Sequence, residues 1–127
     1  MPIPEPELTP DERTAFDKGV AEFNAGCFFE CHDTLEDLWT GIRGPSRDFF
    51  QGLIQVSVAF YHLTNDNFAG AESMLNRALK RFEKYPARYF GFDLEAHRAE
   101  LRAWLDRLHQ EDAGAEAAPH PVWRFPK

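Results

Sequence analysis

The sequence contains few cysteines, and their spacing argues against a disulfide scaffold. Its two cysteines are Cys27 and Cys31. Within one helix this spacing puts the two thiols on neighbouring turns, where a bridge would close a very short loop and strain its geometry. We therefore expect two free thiols, as in a cytoplasmic protein. A metal site of the CxxxC type would need a second pair of ligands, which the sequence does not offer in a zinc-binding pattern.

Basic residues are also scarce. The chain has 14 Lys and Arg residues against 21 Asp and Glu residues, a formal net charge of -7, and no basic run. Nonspecific nucleic-acid binding therefore lacks its electrostatic driving force. No stretch of roughly 18 consecutive apolar residues occurs, and the first residues are acidic and rich in proline. We expect no membrane span, no export signal and a cytoplasmic location.

Several catalytic motifs are missing as well. The sequence has no GxSxG, no phosphate-binding glycine loop, no GxGxxG and no HExxH. These motifs position a nucleophile, a phosphate, a dinucleotide and a zinc ion, respectively. The familiar hydrolase, kinase and dehydrogenase classes therefore have no support in this sequence.

The composition that remains is that of an ordinary globular protein, with 43% hydrophobic and 28% charged residues. We expect one domain over residues 1–127, made of an extended N-terminal arm (1–8), a helical core (9–110), and a linker with a tail rich in proline and aromatic residues (111–127). The tail has two interpretations: a strap laid over the domain's own apolar surface, or an arm that docks on another subunit.

Hydrophobic periodicity and capping signals predict five helices. The first begins at Pro10 after the capping box of Thr9 and Glu12 and ends near Gly26. The others cover about 28–41, 47–64 with Ser46 as its cap, 68–84, and a segment that begins after Asp93. The apolar spacing of the second helix recurs forty residues later in the fourth. The fold class is therefore an all-α five-helix bundle, with two antiparallel tetratricopeptide-like helical hairpins, a C-terminal helix and an extended tail.

The third helix is apolar on nearly every side, so it should be the central one, with Leu53, Val56 and Phe60 almost inaccessible. Gly52 lowers helix stability relative to alanine and therefore indicates a close helix contact. His97 lies among charged residues and is expected to be exposed.

A polar stripe interrupts the apolar third helix. Arg47, Gln51, Gln55 and His62 fall within roughly 80° of one another at about 100° per residue. Helix two supplies His32 and Glu36, which share a face because they are four residues apart. If helices two and three are neighbours, these groups should meet, with Glu36 within hydrogen-bonding reach of His32 or His62.

Three interpretations of this cluster remain open. It could be a buried network that fixes the helix register. It could line a small-molecule or catalytic pocket in which Glu36 raises the basicity of a histidine. It could also hold a divalent metal ion through His32, Glu36 and His62, since two histidines and one carboxylate are typical ligands of nonhaem iron.

Three segments, FNAGCFFECHDTLEDLW (23–39), RDFFQGLIQVSVAFYH (47–62) and GAESMLNRAL (70–79), resemble the signature blocks of the bacterial and archaeal domain-of-unknown-function family number three hundred and nine. The resemblance covers about residues 15–79. It implies a small all-helical fold and supplies no substrate. The polar residues found in the expected places are the candidate ligand-binding residues: Glu30, His32, Glu36, Trp39, Arg47, Gln51, Gln55 and His62.

We therefore interpret the chain as a binding or interaction module whose candidate site is the polar cluster between helices two and three. It could form a homo-oligomer through apolar helix faces or through the tail. The alternative is a small metal-dependent enzyme that uses His32, Glu36 and His62.

Overall fold

The computed structural model describes residues 3–110 and 119–126. The predicted linker at 111–118, the first two residues of the predicted arm and the last residue of the tail lie outside this part. The described elements follow the chain in the order α1 (Pro10–Asn24), α2 (Phe28–Trp39), α3 (Arg47–Thr64), α4 (Phe68–Phe82), β1 (Arg88–Tyr89), β2 (Phe92–Asp93) and α5 (Leu94–His109). The predicted all-α class is confirmed, and none of these helices is long and apolar enough to cross a membrane.

Local signals in the sequence define the helix ends. Thr9 and Glu12 form the predicted capping box, and Gly26 adopts φ +83° after Ala25, the C-cap residue of α1. Residues 25–27 join α1 to α2, and residues 65–67 join α3 to α4. Because these connections are short, α1 packs with α2 and α3 packs with α4 as two helical hairpins. Helix α3 also packs against α2, and α5 packs against α4.

Helix α3 lies at the centre, as predicted. Leu53 and Val56 are inaccessible to solvent, and Phe60 is 2% exposed. Gly52 allows the α4 ring of Phe82 to approach so closely that a Cβ atom would lie 2.5 Å from Cε1 of that ring. The missing side chain therefore lets α3 and α4 pack tightly.

The connection between α4 and α5 contains a short β-hairpin that the sequence did not predict. Arg88 pairs with Asp93 and Tyr89 with Phe92, around a turn with positive φ at Phe90 and Gly91. Each strand has two residues, which is too short for an alternating pattern to be recognised.

The tail lies against the chain's own core, as the strap interpretation predicts. Trp123 is 1% exposed and stacks on Phe23 of α1 with ring centres 3.7 Å apart. The amide side chain of Asn24 binds the backbone of Trp123 in both directions, at 2.9 and 2.8 Å. Stacking and paired hydrogen bonds thus fix the tail on α1.

Two local predictions were wrong. His97 is 2% exposed rather than on the surface, because its position on α5 turns the ring toward Phe82 and Phe92. Burial lowers the pKa of His97 to about 3. Ser46 occupies the position before α3, but its side chain makes no capping hydrogen bond and is itself buried.

Candidate functional site

The residues of the predicted polar cluster lie in several separate parts of the structure. His32 and Glu36 meet as predicted, with Nε2 and Oε2 2.7 Å apart, and His32 Nδ1 lies 3.3 Å from Asp33 Oδ1. The pair lies at the surface of α2, with the His32 side chain 30% and the Glu36 side chain 52% exposed. Glu30 is exposed on the same helix.

Trp39 and Arg47 lock the connection between α2 and α3. The guanidinium carbon of Arg47 lies 3.7 Å from the Trp39 ring centre, and Arg47 Nη1 donates to the carbonyls of Trp39 and Ile42. In the other direction Trp39 Nε1 donates to the Arg47 carbonyl at 3.1 Å. These side chains therefore hold the loop between the two helices.

His62 lies at the other end of α3. Its Nδ1 atom is 3.2 Å from Asn67 Nδ2, and the side-chain Oδ1 of Asn67 accepts a hydrogen bond from the Gly70 amide at the start of α4. Among residues 3–110 and 119–126, no three His, Cys, Asp or Glu side chains are grouped to hold a metal ion. The structure thus brings His32 and Glu36 together but does not assemble them with His62 into a metal site.

The two glutamines of the stripe differ in their surroundings. Gln51 is half-buried, whereas Gln55 is 7% exposed and lines a cleft between α3 and α4. The expectation that Gln55 faces His32 and Glu36 was wrong, because its direction on the helix lies close to that of Gly52, which contacts α4. Its Oε1 atom accepts no hydrogen bond from the described residues.

Both thiols are free, as predicted. Cys27 is exposed just before α2, while Cys31 is fully buried. Burial raises the pKa of Cys31 to about 12, although a hydrogen bond with Ser57 opposes the shift. The two cysteines therefore differ in reactivity, and Cys31 serves as a small core residue.

The outer surface of α2 also carries an aromatic pair that the sequence did not single out. Phe29 is 50% exposed, and its ring centre lies 5.5 Å from that of Tyr61 on α3, which is 38% exposed. A weak signal was available for Phe29, because adjacent residues of a helix point about 100° apart and Phe29 lies outside the apolar spacing of Phe28, Cys31, Leu35 and Leu38. No such signal marked Tyr61 on an apolar helix.

A basic surface on α4 was missed as well. Arg77, Lys80 and Arg81 lie at positions i, i+3 and i+4 and so share one face of α4, and Lys84 follows in the turn just after the helix. Asp48 of α3 pairs with Arg81 at 2.7 Å and also with Lys84. The cations of this face hold the pKa of the Asp48 carboxyl below its ordinary value, with Lys84 making the largest contribution.

The chain is a small all-α protein with an acidic outer surface on α2 and a basic surface on α4. The family model described as "Domain of unknown function (DUF309)" matches residues 16–74, which confirms the resemblance seen in the sequence. These residues run from α1 into α4 and include the eight candidate site residues.

A curated relative is the uncharacterized protein YpuF of Bacillus subtilis (strain 168), 35% identical over 63 residues. The match covers 48% of this chain and 36% of YpuF, so the chain spans about a third of the relative it matches. The description of that relative assigns it no activity.

Proposed function

We propose that the outer surface of α2 binds another protein, through a positively charged segment of that partner with apolar side chains. The observation that carries this proposal is the exposed pair of Phe29 and Tyr61, whose ring centres are 5.5 Å apart. Aromatic side chains supply much of the free energy of protein association when a partner covers them. An exposed pair at the junction of two helices offers such an anchor.

The charge of α2 determines the chemistry of the proposed partner. Glu30, Asp33, Glu36 and Asp37 are exposed on this helix, which contains no Lys or Arg. Complementary charge accelerates encounter and penalises partners of the wrong sign. A basic segment fits this surface, whereas nucleic acid and anionic lipid would be repelled.

Other ligands fit the same surface less well. Small-molecule sites are concave and mostly apolar. The depression on the same helix is instead lined by four ionisable side chains, those of His32, Asp33, Glu36 and Asp37, and by the polar side chain of Thr40. A metal-dependent enzyme would need a ligand group, and the described residues provide no set of three.

Two synthetic helical peptides would test the proposal. Both carry the same Leu and Trp anchors, with Lys and Arg at the flanking positions of one and Glu in the other, and binding is followed by fluorescence anisotropy. We expect the basic peptide to bind and the acidic peptide not to bind. Phe29→Ala or Tyr61→Ala should each weaken binding by at least about fivefold, since a truncated anchor costs about 1 kcal/mol or more.

Phe68 provides a matched control, because it is 41% exposed on α4 and lies outside the acidic surface. Phe68→Ala removes the same exposed aromatic group and should leave binding unchanged. Equal binding of the two peptides would contradict the proposed charge preference. If Phe29→Ala weakens peptide binding no more than Phe68→Ala does, the aromatic pair is not the anchor of the proposed interaction.

A further inference from the structure

The described part of the tail, residues 119–126, lies in a groove that we call the tail seat. Its residues are Arg13, Phe16, Phe23 and Asn24 of α1 and Gly91 and Phe92 of the β-hairpin. Trp123 stacks on Phe23, with the two rings parallel and their centres 3.7 Å apart. The Phe125 ring stacks on Phe92 at 4.4 Å and packs edge-to-face against Phe16 at 4.8 Å. The seat therefore accepts two aromatic rings that are separated by one residue.

The tail seat also binds the backbone of the tail. The side-chain amide of Asn24 donates to the Trp123 carbonyl and accepts from the Trp123 amide, and Arg13 Nη2 donates to the Pro126 carbonyl at 2.6 Å. Gly91 has φ +73°, and a Cβ atom at this position would lie 2.3 Å from Pro126 Cγ. Side chains that bind an extended backbone, together with separate sites for alternate side chains, are typical of a groove that recognises a peptide segment.

The tail is held in this groove without a backbone ladder. Among residues 3–110 and 119–126, no backbone–backbone hydrogen bond joins the tail to the helices or to the β-hairpin. Trp123 Nε1 and both ring nitrogens of His97 are buried at this contact without a partner in the same part of the chain, and the two rings lie 6.3 Å apart. Buried polar atoms without a partner are unfavourable. Release of the tail therefore costs less than its buried area alone would suggest.

We propose that a second copy of this chain supplies the segment that fills the tail seat, so that two molecules exchange their tails. The contacts described above join the seat to residues 119–126, and each of them forms equally well when the tail belongs to another molecule. The eight residues 111–118 that precede the tail have a contour length of up to about 30 Å, which is about the diameter of a small domain. Exchange of an identical element is a low-cost route to a closed dimer, because it reuses contacts that already exist.

Docking of the tail within one molecule competes with this exchange. A tethered segment has an effective concentration in the millimolar range at its own binding site. The native protein should therefore be monomeric at micromolar concentration, and exchanged dimers should accumulate as the protein concentration approaches the millimolar range. The exchange is tested most sharply with two molecules that cannot each dock their own tail.

Two complementary variants of the full chain meet this condition. Trp123→Ala combines an intact seat with a defective tail. Arg13→Ala/Asn24→Asp combines an intact tail with a defective seat, because a carboxylate at position 24 cannot donate to the Trp123 carbonyl. In analytical ultracentrifugation each variant alone should be monomeric, and their equimolar mixture should contain a heterodimer. The mixed pair should associate at least about a hundredfold more tightly than either variant with itself, since the Trp123 ring is lost from only one of the two tails.

Val122 provides the matched control, because it is 46% exposed on the outward side of the tail. Val122→Ala still fills its own seat, so its mixture with Arg13→Ala/Asn24→Asp should stay monomeric at micromolar concentration. A heterodimer with Val122→Ala as tight as that with Trp123→Ala would show association through another surface and would overturn the proposal. A mixture of the two complementary variants that stays monomeric up to millimolar concentration would overturn it as well.

Circular dichroism and cooperative urea unfolding establish that each variant is folded. If Trp123→Ala does not fold, Trp123→Leu takes its place, since leucine keeps an apolar group in the seat but cannot stack on Phe23, and the same outcomes decide. Phe29→Ala in both molecules should leave the heterodimer intact, because Phe29 belongs to the outer surface of α2 and not to the tail seat. The exchange of tails and the proposed function of the α2 surface can therefore fail independently.

Discussion

The guanidinium group of Arg47 stacks on the indole ring of Trp39, with 3.7 Å between the Arg47 Cζ atom and the ring centre. Both residues also bind the other's backbone, since Arg47 Nη1 donates to the Trp39 carbonyl and Trp39 Nε1 donates to the Arg47 carbonyl. The pair connects the last residue of α2 to the first residue of α3. It therefore fixes the angle at which the first hairpin meets the second.

This relationship predicts that Arg47 acts mainly on stability. Arg47→Ala should lower the free energy of unfolding in urea by about 2 to 4 kcal/mol, because it removes charge-assisted hydrogen bonds and a cation–π contact. Arg47→Lys should recover only a small part, since an ammonium group cannot span both carbonyls in the plane of the ring. Arg102→Ala on the exposed face of α5 is the control. Equal stability of Arg47→Ala and Arg102→Ala would show that the contact is not stabilising.

The close approach of α3 and α4 predicts a cost for adding one methyl group. In Gly52→Ala the new Cβ atom would lie 2.5 Å from Phe82 Cε1 and 2.8 Å from Cζ. Phe82 is fully buried, so we expect a loss of about 1 to 3 kcal/mol despite the better helix propensity of alanine. Urea unfolding of Gly52→Ala, Phe82→Leu and the double variant would measure this contact.

The double variant should be less destabilised than the sum of the single variants, because leucine leaves room for the added methyl group. Gly41→Ala provides a comparison, since its Cβ atom would have no neighbour closer than 3.7 Å. If the losses in the free energy of unfolding of the two single variants simply add up to that of the double variant, the cost of Gly52→Ala does not come from contact with Phe82.

The extent of the helices could be predicted because their ends carry local chemical signals. Thr9 with Glu12, Gly26 and Asp93 act within a few residues of their own positions, and each does so in the structure. The centre of the bundle could be predicted for a similar reason, since an all-round apolar helix must be covered on every side.

Which side chains of the candidate site lie together could not be predicted in the same way. A helical wheel gives the direction of Gln55 on α3, but it does not say whether α2 or α4 occupies that direction. It likewise could not show that His97 turns inward, because the ring lies against Phe92, which belongs to the unpredicted β-hairpin. The sequence alone does not predict the surroundings of residues whose neighbours come from distant segments of the chain.

The two cysteines should react very differently with a thiol reagent. Cys27 is exposed, whereas Cys31 is fully buried with its pKa raised to about 12. Because the thiolate is the reactive form, Ellman's reagent should modify one thiol in the native protein and two in urea. Cys27→Ala should abolish the native reaction, and Cys31→Ala should preserve it. Two fast-reacting thiols in the native protein would contradict the burial of Cys31.

The buried imidazole of His97 predicts that stability falls in acid. Burial lowers the pKa of His97 to about 3 in the folded protein, from an ordinary value of about 6.5. Below that ordinary value the unfolded chain binds a proton that the folded protein does not bind, so acidification favours unfolding. The contribution of this group should be constant above the ordinary pKa and should decrease by about 1.4 kcal/mol per pH unit on acidification toward the folded pKa.

His97→Leu isolates this effect, because leucine does not titrate and suits a site that contacts Phe82, Phe92 and Trp123. Urea unfolding of the native and variant proteins should be compared from neutral to acidic pH. The other ionisable groups are common to both proteins and cancel in the difference. That difference should be constant at neutral pH and should shift progressively in favour of His97→Leu as the pH falls. Parallel curves over the whole range would mean that the folded protein accepts a proton on His97 as readily as the unfolded chain does.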